Sequence, residues 1–309
     1  MVAAPSVHWA WQGLCFALPA DWDVTVLEKA YLRADDAAGP RLEIVWRQNT
    51  PMAEAALRSR LQRLLPDATF DFSSGPTLHA LPGVLAFRFA RPPESRSPAG
   101  VGLVLDLPNQ RSAMLLVHQP HPDGETLRAD CTATAALLGS LTVAPAGALQ
   151  PWQAFGLRLA VPATYALQRF HFQPGHFHLQ FNGPARGLLR RPEGIVTFDR
   201  LGPASMLLRG RSLQEWAATF HPGLPLDERT RVAHPGPCSA RWRACSRWSE
   251  TQTGNWWRTI WGDPGDDMVL SLWLDDEDTK IMALLARGAP AREEPLLREL
   301  CAHYAIVPA

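Results

Sequence analysis

The sequence predicts an α+β fold: a tandem duplicated sandwich, its mostly antiparallel sheets covered by helices, with the two copies packed as a pseudo-dimer. Three observations carry this expectation. Leu14-Cys15-Phe16-Ala17-Leu18-Pro19-Ala20-Asp21-Trp22 returns as Leu157-Arg158-Leu159-Ala160-Val161-Pro162-Ala163-Thr164-Tyr165, each a strand-like run closed by Pro-Ala and an aromatic. Val104-Leu105-Asp106 and Met114-Leu115-Leu116-Val117 recur at one constant offset as Trp273-Leu274-Asp275 and Ala283-Leu284-Leu285-Ala286. The halves also close alike, on Val143-Ala144-Pro145-Ala146 and on Ile306-Val307-Pro308-Ala309. Internal repetition precedes any other fold argument, because the repeated segment is the unit that must bury a core. A chain of 309 residues exceeds the size at which one core usually keeps growing. Domains over 1–146 and 150–309 follow, joined by Pro145-Ala146-Gly147-Ala148, whose small side chains cannot pack a core.

The elements follow from local pattern. Short runs rich in branched and aromatic residues predict strands over Leu14 to Leu18, Val24 to Leu32 and Arg41 to Trp46. Ala53, Leu57, Leu61, Leu64 and Leu65 then fall on one helical stripe, with Thr50-Pro51 as N-cap and first turn and Pro66 as the stop. Strands fit Val84 to Ala90, Gly100 to Leu107 and Ala113 to Gln119. A closing helix from Glu125 to Leu141 is predicted to turn Leu127, Cys131, Ala135, Leu138 and Leu141 to the core. The second half repeats this order with an inserted hairpin and Trp-rich strands. Its helices fit Ser212 to Phe220, with Leu213, Trp216, Ala217 and Phe220 inward, and Glu294 to Tyr304, with Leu297, Leu300, Cys301 and Tyr304 inward.

These residues resemble the PsbP-like superfamily, which includes DcrB-type bacterial proteins. The match is carried by Phe16-Ala17-Leu18-Pro19-Ala20-Asp21-Trp22 and by the strand and helix of Leu115 to Leu141. It covers most of the first half and, more loosely, the second, where Tyr165 replaces the tryptophan. The resemblance implies an α/β/α sandwich and a binding, adaptor or chaperone role without catalysis, such as holding apolar segments of type VI secretion effectors.

Composition bounds the partners. Formal charge is zero with thirty basic and thirty acidic residues, which argues against general nucleic-acid binding, since phosphate neutralisation needs a surplus of Lys and Arg. No run reaches the roughly 20 apolar residues of a membrane helix, and Met1-Val2-Ala3-Ala4-Pro5 lacks the basic start of a signal peptide. A cytoplasmic monomer without cofactor is expected. The five cysteines lack metal-site spacing and are read as reduced, mostly buried thiols.

Two segments could carry a site. In Arg169-Phe170-His171-Phe172-Gln173-Pro174-Gly175-His176-Phe177-His178-Leu179-Gln180, a Pro-Gly hairpin turn would pair Gln173 with His176, Phe172 with Phe177 and His171 with His178. Phe170, Phe172, Phe177 and Leu179 then share one face and His171, His176 and His178 the other, read as a solvated face over an aromatic core. Three imidazoles can bind Zn²⁺ or Cu²⁺ if their nitrogens converge to about 2.1 Å from one ion, but no carboxylate or cysteine lies near in sequence to complete the set. The other segment alternates Arg241, Trp242, Arg243, Arg247 and Trp248 and continues to Trp256 and Trp257. Rigid aromatics beside guanidinium forks are enriched in protein interfaces, so Arg241, Arg243, Arg247, Trp256 and Trp257 are the candidate partner-binding residues. The acidic residues from Asp263 to Asp278 lack the spacing of a calcium loop and read as hairpin turns.

Nucleophile elbows and phosphate loops are missing, so no enzyme is expected. The leading expectation is a non-catalytic bacterial protein that binds another protein as adaptor or chaperone. The alternatives are a metal-dependent enzyme or metal-binding protein at the histidine hairpin, and a carrier of small apolar ligands.

Overall fold

The chain divides into two units after Gly156. The computed structural model describes residues 6–48, 54–73, 84–92, 99–108, 111–119, 124–147, 149–186, 191–220, 240–245, 267–275, 277 and 279–307.

The first unit contains, in chain order, β1 (Ser6–Trp11), β2 (Leu14–Pro19), β3 (Asp23–Leu27), β4 (Tyr31–Asp36), β5 (Gly39–Gln48), α1 (Glu54–Leu64), β6 (Thr69–Asp71), β7 (Leu85–Ala90), β8 (Ala99–Leu107), β9 (Arg111–Gln119), α2 (Gly124–Ser140), β10 (Thr142–Val143) and β11 (Leu149–Ala154). Seven strands make one antiparallel sheet in the order β3-β4-β5-β9-β8-β7-β6, and β10-β2-β1-β11 run side by side in a second layer. On one face of the seven-stranded sheet, Leu57 and Leu61 of α1, followed by Leu65, pack with Phe87, Phe89, Met114 and Leu116. The opposite face is as dry: Leu42, Ile44, Leu103, Leu105, Leu115 and Val117 are all buried. Arg111 of β9 ties the two layers, donating to Gln12 Oε1 at 2.8 Å and to Gln150 Oε1 at 2.9 Å.

Close packing fixes Gly102 of this sheet, as it does Gly100. A methyl at Gly102 of β8 would sit 2.0 Å from the Phe87 ring, which is itself fully buried. Gly102→Ala is therefore expected to lower stability by about 1–2 kcal/mol through overpacking, read as a lower urea midpoint of the first unit.

The second unit contains β12 (Leu157–Pro162), β13 (Ala166–Gln173), β14 (His176–Asn182), β15 (Ala185–Arg186), β16 (Arg191–Pro192), β17 (Gly194–Leu201), α3 (Ala204–Leu208), α4 (Leu213–Phe220), β18 (Ala240–Cys245), β19 (Asp267–Leu274), β20 (Ile281–Gly288), α5 (Ala289–Arg292), α6 (Glu294–His303) and β21 (Ala305–Ile306). Its main sheet runs β13-β14-β17-β20-β19-β18, the same path as the first sheet from β3 to β7. Both sheets start with a three-strand meander, leave through helix, return at the far side and finish at the centre. Ser212 starts α4 with a capping box: Glu215 N–H donates to Ser212 Oγ at 3.2 Å and Ser212 N–H to Glu215 Oε2 at 2.7 Å. Trp216 and Ala217 then cover Leu201, Leu270, Leu272, Ile281 and Ala283. Leu297, Leu300 and Cys301 of α6 are buried, and Tyr304 after it packs edge-on against Phe198 at 5.0 Å and Trp273 at 5.4 Å.

The helix-covered sandwich predicted from the sequence, α/β/α by the PsbP-like resemblance, is not what the chain forms. Most described residues are antiparallel strand rather than helix, and the helices do not cover the sheets as that layering requires. Alternation marks a strand face as buried but not what buries it. In the first unit Trp9, Trp11, Phe16 and Leu18 belong to a separate strand layer. Two helical stripes also shift: Leu64 is exposed, and among the described side chains of α2, from Cys131 onward, the buried ones are Thr134, Leu137 and Leu138, with Cys131 and Ala135 in solvent. The division into two units falls after Gly156, and β11, which follows the 145–148 segment, pairs with β1 at Gln153↔Ala10.

Candidate functional site

The Pro174-Gly175 turn sets the site. Gly175 takes φ +86°, the left-handed value that glycine accepts without strain, and its carbonyl accepts the Gly202 N–H at 2.9 Å. The register of β13 on β14 is the one the turn predicts: Gln173↔His176, Phe172↔Phe177 and His171↔His178. Beyond it a bulge between Leu167 and Arg169 bends β13.

What the hairpin alone does not disclose is its next neighbour. β14 pairs with β17 so that His178 lies opposite Asp199 and His176 opposite Leu201. Directly paired residues share a face, so Asp199 joins the histidines. Its Oδ1 lies 2.7 Å from His176 Nε2 and 2.7 Å from His178 Nδ1. His171 Nε2 lies 3.3 Å from His176 Nδ1, and the His171 ring stacks on His178 at 5.0 Å and 13°. The histidine face is thus not a simple solvated surface over an aromatic core. It continues across β17 and β20 into the apolar core under α4, whose Phe220 ring meets His176 at 6.4 Å. On the opposite face, the Arg200 guanidinium lies over Phe177 at 3.7 Å.

Electrostatics favour a charged Asp199. Burial pushes its carboxyl upward, but hydrogen bonds with His176 and His178 outweigh that and hold it below the usual aspartate value. For His171, burial first and then the neighbouring imidazoles push the pKa down, favouring the neutral ring. Asp199 is the residue sequence reasoning missed. The available signal was an aspartate inside the branched and aromatic run Ile195-Val196-Thr197-Phe198-Asp199, where a strand disfavours it.

The other candidate segment is placed in part. Arg241 and Arg243 belong to β18, opposite Ser271 and Val269 respectively, with Trp242 opposite Leu270. Arg247, Trp256 and Trp257 lie outside the described residues. Of the acidic residues, Asp275 holds the turn between β19 and β20, accepting from Thr279 N–H at 2.6 Å and Lys280 N–H at 2.9 Å, and Asp267 pairs with Arg292.

No family model matches the chain, and no curated protein does. Among solved structures it is similar to the immunity protein TplEi of the T6SS from Pseudomonas aeruginosa, in complex with "L" peptide, with 11% identity and a TM-score of 0.29 over 98% of this chain and 99% of that one. A likeness at that score settles neither the fold nor the partner of this chain. No described helix is long and apolar enough to cross a membrane.

Proposed function

We propose that the protein is a non-catalytic binding protein, an adaptor or chaperone for another protein, and that it takes an extended segment of that protein as an added strand along the outer edge of β18. One observation supports this reading: β18 is the one long, regular edge of the two main sheets among the described residues. Edge strands offer a row of backbone donors and acceptors, and proteins that do not use them blunt them. The other three edges are blunted. β3 carries a bulge between Val24 and Val26, β13 one between Leu167 and Arg169, and β6 is only three residues long. β18 instead keeps unbroken register with β19 over all six residues, and no described strand pairs with its other side. It also carries Arg241, Trp242 and Arg243, residue types that anchor protein interfaces.

A photo-crosslinking amino acid at Trp242, used in the native cell, identifies the segment that lies along β18. That segment, added as a synthetic peptide, is expected to slow amide exchange across residues 240–245. The double charge reversal Arg241→Glu/Arg243→Glu is expected to weaken its binding at least tenfold while the protein stays folded. Unchanged exchange in β18, or equal binding by the folded variant, overturns the reading.

A further inference from the structure

We infer that His176, His178 and Asp199 form a binding site for one zinc ion, with His171 positioning His176. This goes beyond the partner-binding reading and lies on different strands. The ligand set is chemically suited to zinc: imidazole nitrogen and carboxylate oxygen are two of its three usual donors, whereas calcium and magnesium call for oxygen alone. The placement follows from strand geometry. His176 and His178 are two residues apart on β14 and so share a face, and the pairing of His178 with Asp199 brings the carboxylate to that face from β17.

The distances suit an ion. One ligand atom from each residue lies within 4.8 Å of the others. Tetrahedral ligands about 2.1 Å from zinc stand about 3.4 Å apart. Both nitrogens now sit 2.7 Å from Asp199 Oδ1, so a small outward rotation of each imidazole opens the space. The imidazoles can rotate because their side chains are 35% and 21% exposed, while Asp199, at 5%, is the fixed anchor. Charge points the same way. Among the described residues, Asp199 lies within ion-pair distance of these two histidines and of no Arg or Lys.

His171 acts through His176. To ligate through Nε2, His176 must carry its proton on Nδ1, and His171 Nε2 stands 3.3 Å away as the acceptor for that N–H. An acceptor on the far nitrogen fixes the tautomer and aim of a metal-ligating histidine. His178 ligates through Nδ1, leaving its Nε2 to carry the proton. Three protein ligands leave a fourth position for water.

The test uses the full chain, stripped with a chelator and titrated with zinc by calorimetry and with cobalt(II) by absorption. One zinc per chain, a raised melting temperature with added zinc, and visible cobalt bands of tetrahedral intensity are expected. The double variant His176→Ala/His178→Ala and the isosteric Asp199→Asn are expected to lose stoichiometric zinc while circular dichroism shows them folded. His171→Ala is expected to bind about tenfold more weakly, and His303→Ala, an exposed position at the end of α6, as wild type. No stoichiometric zinc in the wild-type chain, or zinc retained by the folded double variant, overturns the proposal.

Discussion

Trp152→Ala is expected to destabilise the first unit by about 3–5 kcal/mol, the range for emptying a buried tryptophan site. Trp152 is 2% exposed and Trp11 is fully buried. Their rings meet edge to face at 5.0 Å and 77°, a geometry that contributes beyond area alone. Neither ring has water to fall back on when the other is removed. The measurement is urea unfolding of the full chain followed by fluorescence, with Phe198→Ala, in the second unit, as the control that leaves the first unit's transition in place. The result also bears on where the first unit ends. Repetition in the sequence puts residue 152 in the second domain, whereas its ring packs on Trp11 of β1. A loss below about 1 kcal/mol would mean that β11 is not integral to the first core.

The difference between those two boundaries shows what the sequence can disclose. The histidine hairpin was legible residue by residue, because Pro174-Gly175 fixes a turn and a period of two then fixes every face. The buried stripes of α4 and α6 were legible for the same reason, with a period of 3.6. Asp199 was not, since it reaches His178 across 21 residues and nothing local to either names the partner strand. Layering was illegible in the same sense. The alternation Leu14, Phe16, Leu18 records a buried face, yet that pattern is identical whether a helix or a sheet lies over it. Helix ends failed through geometry: Leu64 closes α1, and Leu65 beyond the last helical turn takes the inward place.

Glu43→Ala is expected to cost about 2–3 kcal/mol at neutral pH, because it removes two charge-assisted hydrogen bonds and strands a buried imidazole. Glu43 Oε2 accepts from Tyr31 Oη at 3.0 Å, and Oε1 lies 3.0 Å from His118 Nε2. His118 is 3% exposed, and among the described residues its Nδ1 has no hydrogen-bond partner, so without Glu43 the whole ring is unsatisfied. Hydrogen bonding with His118, despite burial, holds the Glu43 carboxyl below the usual glutamate value. The sign follows: a depressed native pKa binds fewer protons than the unfolded chain, so this stabilisation is full above about pH 4.3 and fades as pH falls through the native value. The gap between wild type and Glu43→Ala in thermal melts should therefore be widest near neutrality and narrow in acid; a gap that widens in acid would contradict it. The same variant separates the two carboxylate and histidine groupings. Glu43 has one buried imidazole and a phenol beside it, Asp199 two half-buried imidazoles, so Glu43→Ala should leave zinc stoichiometry unchanged while Asp199→Asn abolishes it.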